Sequence, residues 1–335
     1  MKRIQEIDFI KGVAIISVIL LHTLSQNFLS ISRCQLHIGQ AVPLFLFVTF
    51  YLSFWKISSK DDGKVFSRWF TKRRFFRVVV SIIIPFIIVS VLEAVIMLIS
   101  GESLIVKDVI RAGGCYGPGS YYLIIYIQLW LLIPILYWLL SRFAYGGGLA
   151  VLLVCIVLNF LCVKFGVPSW MYRISCVRYI FLCVPVYFYL KRQNVYHFNW
   201  FCAVGVAISF VYLLFCRYLN LSPVILDYGW SYQQWPSYFW TLFVFIVLIR
   251  LGKRLKDNRV FRFLTWMGKN SWYIFLTQMF VLNYLSINSF SYIHSVHLRR
   301  IVFIIVIMGL SCIPSLLVSR ASHCKSIRKR VNFLF

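Results

Sequence analysis

The chain has 335 residues, of which 61% are hydrophobic, 19% aromatic and only 13% charged. Soluble domains are about 45–50% apolar and about 25% charged, so an ordinary water-soluble domain is excluded. The formal charge of +26 would suggest nucleic acid in a soluble protein, but here Lys and Arg crowd into short loops between hydrophobic runs. That is the positive-inside pattern of a membrane protein. The expectation is an all-α, polytopic membrane helix bundle of about ten transmembrane helices, one domain over 1–335, with membrane lipids and not nucleic acid as its surroundings.

The first hydrophobic stretch runs from Glu6 to Phe28 and carries Asp8, Lys11 and His22. About 20 residues at 1.5 Å each cross the roughly 30 Å hydrocarbon core. Lys11 and His22 are eleven residues apart, which at ~100° per residue places both on one face, about 16 Å apart along the axis. Asp8 is an i, i+3 neighbour of Lys11 and can pair with it. Ionisable groups inside a membrane are costly and face a protein interior or a wet cavity. This stripe is the first candidate site. Asp8 and Lys11 interrupt the apolar region and no small-residue cleavage site follows, so the stretch does not read as a cleavable signal.

Spans are predicted at roughly 8–29, 38–56, 77–100, 119–141, 147–164, 173–190, 199–219, 236–252, 271–288 and 300–320. The N-terminus, the loop 57–76, Arg142, Lys191, Arg192, the loop 253–270 and the tail from Arg320 hold most of the Lys and Arg. Both termini are therefore expected in the cytoplasm. No internal repeat of the kind that marks many transporters is evident.

The loop 57–76 ends in a cluster of Lys64, Arg68, Lys72, Arg73, Arg74 and Arg77, interleaved with Phe66, Trp69, Phe70, Phe75 and Phe76. Two readings stand here: an amphipathic anchor on anionic lipid, or a phosphate clamp, since Arg forks suit phosphate geometry. Arg74 and Arg77, three apart at a helix start, are the best-placed pair. Further along, Glu93 is expected in the outer half of the third span. Gly117, Pro118 and Gly119 make a turn and Ser120 is a candidate N-cap. Tyr121 and Tyr122 then fall at the outer interface and Gln128 near mid-membrane. Ser271 opens the ninth span, with Gln278 about 10 Å along it. Gln128, Gln278 and His22 thus share a depth to within a couple of turns.

His37, His197, His294, His297 and His323 read as surface residues, and no metal-ligand spacing is present. Neither a G-x-S-x-G elbow nor a P-loop nor a dinucleotide fingerprint occurs. The ten cysteines include no C-x-x-C; Cys34 and Cys115 fall in loops on one side and can form a disulfide.

Five segments, taken together and in order, resemble acyltransferase family 3. IDFIKGVAIISVILLH resembles the family's first helix with its R/K-x10-H pattern, here Lys11 and His22. VPLFLFVTFYLSFW resembles the second helix, with Thr49–Phe50 standing where Ser-Gly is usual. RRFFRVVVSIIIP resembles the R-x-x-R entry to the third, and GPGSYYLIIYIQLWLLIPIL and GKNSWYIFLTQMFVL resemble later helices. The resemblance covers nearly the whole chain. It implies a multi-pass O-acyltransferase of the plasma membrane, in bacteria the inner membrane. Such proteins move acetyl from cytoplasmic acetyl-CoA, a substrate and not a bound cofactor, to a hydroxyl of a cell-surface polysaccharide or its lipid-linked precursor. On that footing His22 is the general base or transient acyl carrier, since imidazole titrates near neutrality. Lys11 and Arg73, Arg74 and Arg77 hold the donor's phosphates, and Asp8, Glu93, Tyr121, Tyr122, Gln128 and Gln278 are candidate acceptor-binding or supporting residues. The competing reading is a transporter or flippase of glycan or lipid intermediates, with Asp8, Lys11, Glu93 and His22 as a proton relay.

Overall fold

The computed structural model describes residues 4–59, 65–101, 119–191, 200–219, 221, 231–256 and 258–323. Helices and turns make up these residues, with no strand among them. Helix α1 (Gln5–Thr23) carries Glu6 and Asp8 in its first turn, where the positive end of the helix dipole favours acidic side chains. It is shorter than the predicted span. The chain is extended at Leu24 and restarts as α2 (Gln26–Ile31) and α3 (Gln35–Ile38). His22 therefore stands in the last turn of α1, not deep within it.

Helix α4 (Ala41–Ser58) returns across the bundle. Two short helices follow, α5 (Val65–Trp69) and α6 (Lys72–Val78). A π-helical turn at Val79–Ile83 joins α6 to α7 (Ile84–Ile99). Pro85 accounts for the wide turn. It has no N–H to give Ser81, and its ring would collide with the Ser81 carbonyl in a regular helix. The predicted spans 119–141 and 147–164 are the two legs of α8 (Tyr121–Lys164), broken at Ala144 (φ 24°, ψ −96°). A Cβ on Gly147 would lie 2.8 Å from the Leu139 carbonyl oxygen, so the chain turns back sharply there. Ser120 takes the N-cap position without a side-chain capping bond.

Helix α9 (Ser169–Ile174), a 3-10 segment (Cys176–Leu182) and α10 (Cys183–Lys191) make up the next predicted span. Then come α11 (Trp200–Tyr218), two 3-10 turns (Ser231–Gln233 and Trp235–Ser237) and α12 (Tyr238–Arg254). The last helices are α13 (Arg259–Lys269), α14 (Ser271–Tyr284) and α15 (Val296–His323). Every predicted span falls on helix. Among the described residues, six stretches are long and apolar enough to cross a membrane: Leu36–Ser58, Lys72–Ile99, Tyr121–Lys164, Ser169–Lys191, Trp235–Arg254 and Val296–Leu317. They establish an all-α polytopic membrane bundle; they do not by themselves establish ten crossings.

Helix α1 is the axis of the bundle, packed against α4, α12, α13, α14 and α15. The region 253–270 corrects the sequence expectation, because most of this basic "loop" is helix α13. Asn258 caps it by accepting the Val260 N–H at 3.0 Å, and Phe261, Thr265 and Gly268 face inward. Backbone meets backbone where α13 crosses α1. A Cβ on Gly12 would overlap the Leu264 carbonyl oxygen, and one on Gly268 would overlap the carbonyl oxygen of Asp8. Phe9 and Phe261 stack beside the crossing at 5.3 Å. Small residues permit such close approach between membrane helices. Gly268→Ala is therefore expected to push α13 off α1, at about 1–3 kcal/mol or more for an overpacked contact that backbone cannot relieve. Thermal denaturation in detergent measures it. Gly309→Ala, with open space around it, is the control expected to leave the midpoint unchanged.

A buried polar layer ties the bundle together at the end that holds the α1–α4 connection. Tyr172 donates to Asn159 Oδ1 (2.7 Å) or Gln234 Oε1 (2.8 Å), and Tyr179 donates to Gln233 Oε1 at 2.6 Å. Gln233 Nε2 donates to the Gly39 carbonyl, Gln40 Nε2 to the Tyr232 carbonyl, and Thr241 to Gln40 Oε1. Arg178 lies fully buried among them, its guanidinium 4.6 Å from the Tyr179 ring and 5.6 Å from that of Tyr121. Cys34 is a free thiol, while Cys115 lies outside the described residues.

Candidate active site

Two cavities lie in succession along the facing sides of α4 and of α6 with its π turn. The first, about 340 Å³, is lined by Lys56, Arg68, Thr71, Arg73, Arg74 and Arg77, with Ile57 and Val65. Among the described residues its charged lining is entirely basic. Thr71 caps α6 by accepting the Arg74 N–H, which fixes where the arginine-bearing helix begins. The Arg74 guanidinium lies 4.8 Å from the Trp69 ring centre. Trp69 is itself buried, and its indole N–H donates to the Trp130 carbonyl at 2.9 Å. Arg74 is thereby set in place by α8 before any ligand arrives.

The second cavity, about 310 Å³, is walled by α1, α4, the π turn, α8 and α14. Lys11 and Val18 line it from α1, Thr49 and Ser53 from α4, and Ser81 and Ile82 from the π turn. Its remaining wall is aromatic. Tyr122 lies 6.3 Å from Phe45, 5.6 Å from Phe275 and 6.4 Å from Trp272, ring centre to ring centre. Gly119, with φ +102°, holds the turn that brings this wall together; a Cβ there would lie 3.0 Å from the Phe275 ring.

The cavities adjoin end to end. On α4, Lys56 lines the first and Ser53 the second; on the other side, Arg77 lines the first and Ser81 the second. Three or four residues is one helical turn, about 5 Å. An extended ligand with an anionic head fits this shape: phosphates among the arginines, a neutral arm in the apolar chamber.

The predicted site residues divide accordingly. Arg73, Arg74 and Arg77 come together in the basic cavity. Lys11 lines the second cavity instead. His22 shares the face of Lys11 and Val18 on α1, one turn beyond Val18, open to the surface at the helix end. Tyr122 lines the cavity, whereas Tyr121 packs under Arg178. Gln128 is a brace: its amide donates to the Ile174 carbonyl at 3.1 Å and accepts from the Cys176 N–H at 2.7 Å. Gln278 is fully buried, and neither amide atom has a hydrogen-bond partner among the described residues. Asp8 is buried at the α1–α13 crossing, and Glu93 is buried on α7 at 1% exposure. None of these last four lines either cavity, and neither does His22. Lys56, Thr49, Ser53, Ser81 and Phe275 were not predicted as site residues. Pro85 was the available signal for the π turn.

Helices long and apolar enough to cross a membrane surround this two-chambered groove, which places the protein among polytopic membrane proteins. The family model described as an acyltransferase domain, acyltransferase family 3, matches residues 4–320, and the chain belongs to that family. It is a membrane acyltransferase. No curated protein and no solved structure gives a significant match.

Proposed function

We propose that this acyltransferase transfers acetyl from cytoplasmic acetyl-CoA to a hydroxyl of a cell-surface polysaccharide or of its lipid-linked precursor, in the plasma membrane of a bacterium. The observation that carries the reading is the junction of the basic cavity with the apolar one, one turn apart on both α4 and the α6–π segment. Coenzyme A enters at the arginines, and its arm runs along Ser53, Thr49 and Lys11 toward His22. The acceptor hydroxyl arrives at the open end of α1. His22 takes its proton as the oxygen attacks the thioester carbonyl; the new C–O bond replaces the C–S bond, and the proton passes on to the departing thiolate.

Mass spectrometry of surface glycans from cells with and without the chain tests the acceptor class, and loss of an acetyl group from a glycan is expected. An unchanged glycan profile would argue against it. Topology follows from the same reading. A cysteine placed at Ser59, in a Cys-free background, is expected to react with impermeant reagent only from the cytoplasmic side. Labelling only from outside would invert the entry route of the donor.

A further inference from the structure

We infer that the aromatic wall of the second cavity, Phe45 with Tyr122 and Phe275, sets the length of the acyl group and restricts it to a short one. The inference rests on the donor reading above. Measured along α4, Lys56 in the basic cavity and Phe45 in the wall are eleven residues apart, about 16 Å. The pantetheine arm uses that distance, so the thioester arrives beside Phe45. Beyond Phe45 the α4 lining of the cavity ends at Val42, one turn or about 4.5 Å further. That space suits an acyl group of a few carbons.

The wall is also stiff. Tyr122 contacts Phe45, Phe275 and Trp272 at once, and Trp272 stacks on Phe275 at 5.7 Å. The turn at Gly119 passes close to Phe275, where a Cβ would lie 3.0 Å from the ring. Closely packed aromatic groups change shape little, and their truncation leaves a cavity that a longer apolar chain can fill. Phe45 is the residue to vary, because it is the member of the aromatic wall that α4 contributes.

The test is the turnover of acetyl-, propionyl-, butyryl- and hexanoyl-CoA by the detergent-purified full chain, by Phe45→Ala and by Phe45→Trp. The wild-type rate is expected to fall at least tenfold between acetyl and hexanoyl. Phe45→Ala should move that fall to longer chains, raising hexanoyl relative to acetyl by tenfold or more, and Phe45→Trp should move it to shorter ones. Binding of free coenzyme A, measured beside turnover, reports that each variant is folded and takes the donor, and the comparison is the chain-length profile within each variant. Phe45→Leu replaces Phe45→Ala if that variant fails to bind coenzyme A. Parallel chain-length profiles in active variants would overturn the wall as the gate while leaving the donor assignment standing. Failure of the wild-type chain to bind or turn over any acyl-CoA would overturn the donor assignment, and the gate with it.

Discussion

Replacing His22 by Ala is expected to abolish acyl transfer while leaving the protein inserted and folded. The side chain is exposed in the last turn of α1, so its removal opens no core cavity. It stands on the Lys11–Val18 face of α1, one turn beyond the last α1 residue that lines the second cavity, where the proposed reaction needs a base. A positioned general base contributes about 10²–10⁴-fold, and loss of that order is the expected result. The effect should fall on kcat, with donor affinity unchanged, because the arginines that hold the phosphates are at the far end of the groove. Product formation by purified wild-type and His22→Ala protein decides it. A folded variant acylating its acceptor at near wild-type rate would remove His22 from the reaction. Lys11 gives a graded companion result. Lys11→Arg keeps the charge inside the second cavity and should be tolerated better than Lys11→Ala, although the planar fork cannot reproduce ammonium geometry.

The sequence carries the class of this protein plainly and its site only in part. Hydrophobic runs and loop charge announce a membrane bundle, because hydrocarbon tolerates few alternatives to the apolar helix. The Lys11–His22 stripe and the arginine cluster are local features, readable from helical spacing; Lys11 and the arginines line the groove, while His22 lines neither cavity. The partners of the groove are not local. Ser81 meets Thr49, Tyr122 and Trp272 only through packing of four helices, and nothing in their spacing foretells it. Helix α13 was hidden by its own composition: with Arg259, Arg262 and Lys269 on its outer side it resembles a cytoplasmic loop. Its inward face of Phe261, Leu264, Thr265 and Gly268 nonetheless repeats at i, i+3, i+4 and i+7, and Asn258 stands ahead of it as a cap. Gln128 is the simpler case. Polar residues at its depth often join helices, and both ends of its amide serve the turn at Ile174–Cys176.

The Arg74→Gln, Arg77→Gln double variant is expected to weaken coenzyme A binding about a hundredfold or more. Both side chains line the basic cavity with no carboxylate among its lining residues. Arg74 is further held over Trp69, so little side-chain freedom remains to be lost when a phosphate docks. A hydrogen bond to a charged group contributes about 1.5–3 kcal/mol. The cavity is partly open, so screening argues for the lower value, and two such losses together make about 3 kcal/mol, or roughly a hundredfold. Gln is chosen because it keeps polarity and much of the stem while removing the charge. A lipid anchor predicts a different outcome, since Arg68, Lys72 and Arg73 would remain to hold the segment at an anionic surface. Arg142→Gln, a basic residue exposed on α8 away from the cavity, is the control and should leave affinity unaltered. Isothermal titration of acetyl-CoA into the detergent-solubilised proteins separates the two roles. Unaltered affinity in a folded double variant would make the cluster an anchor, whereas a hundredfold loss confined to Arg74 and Arg77 fixes the donor's phosphates at the mouth of the groove.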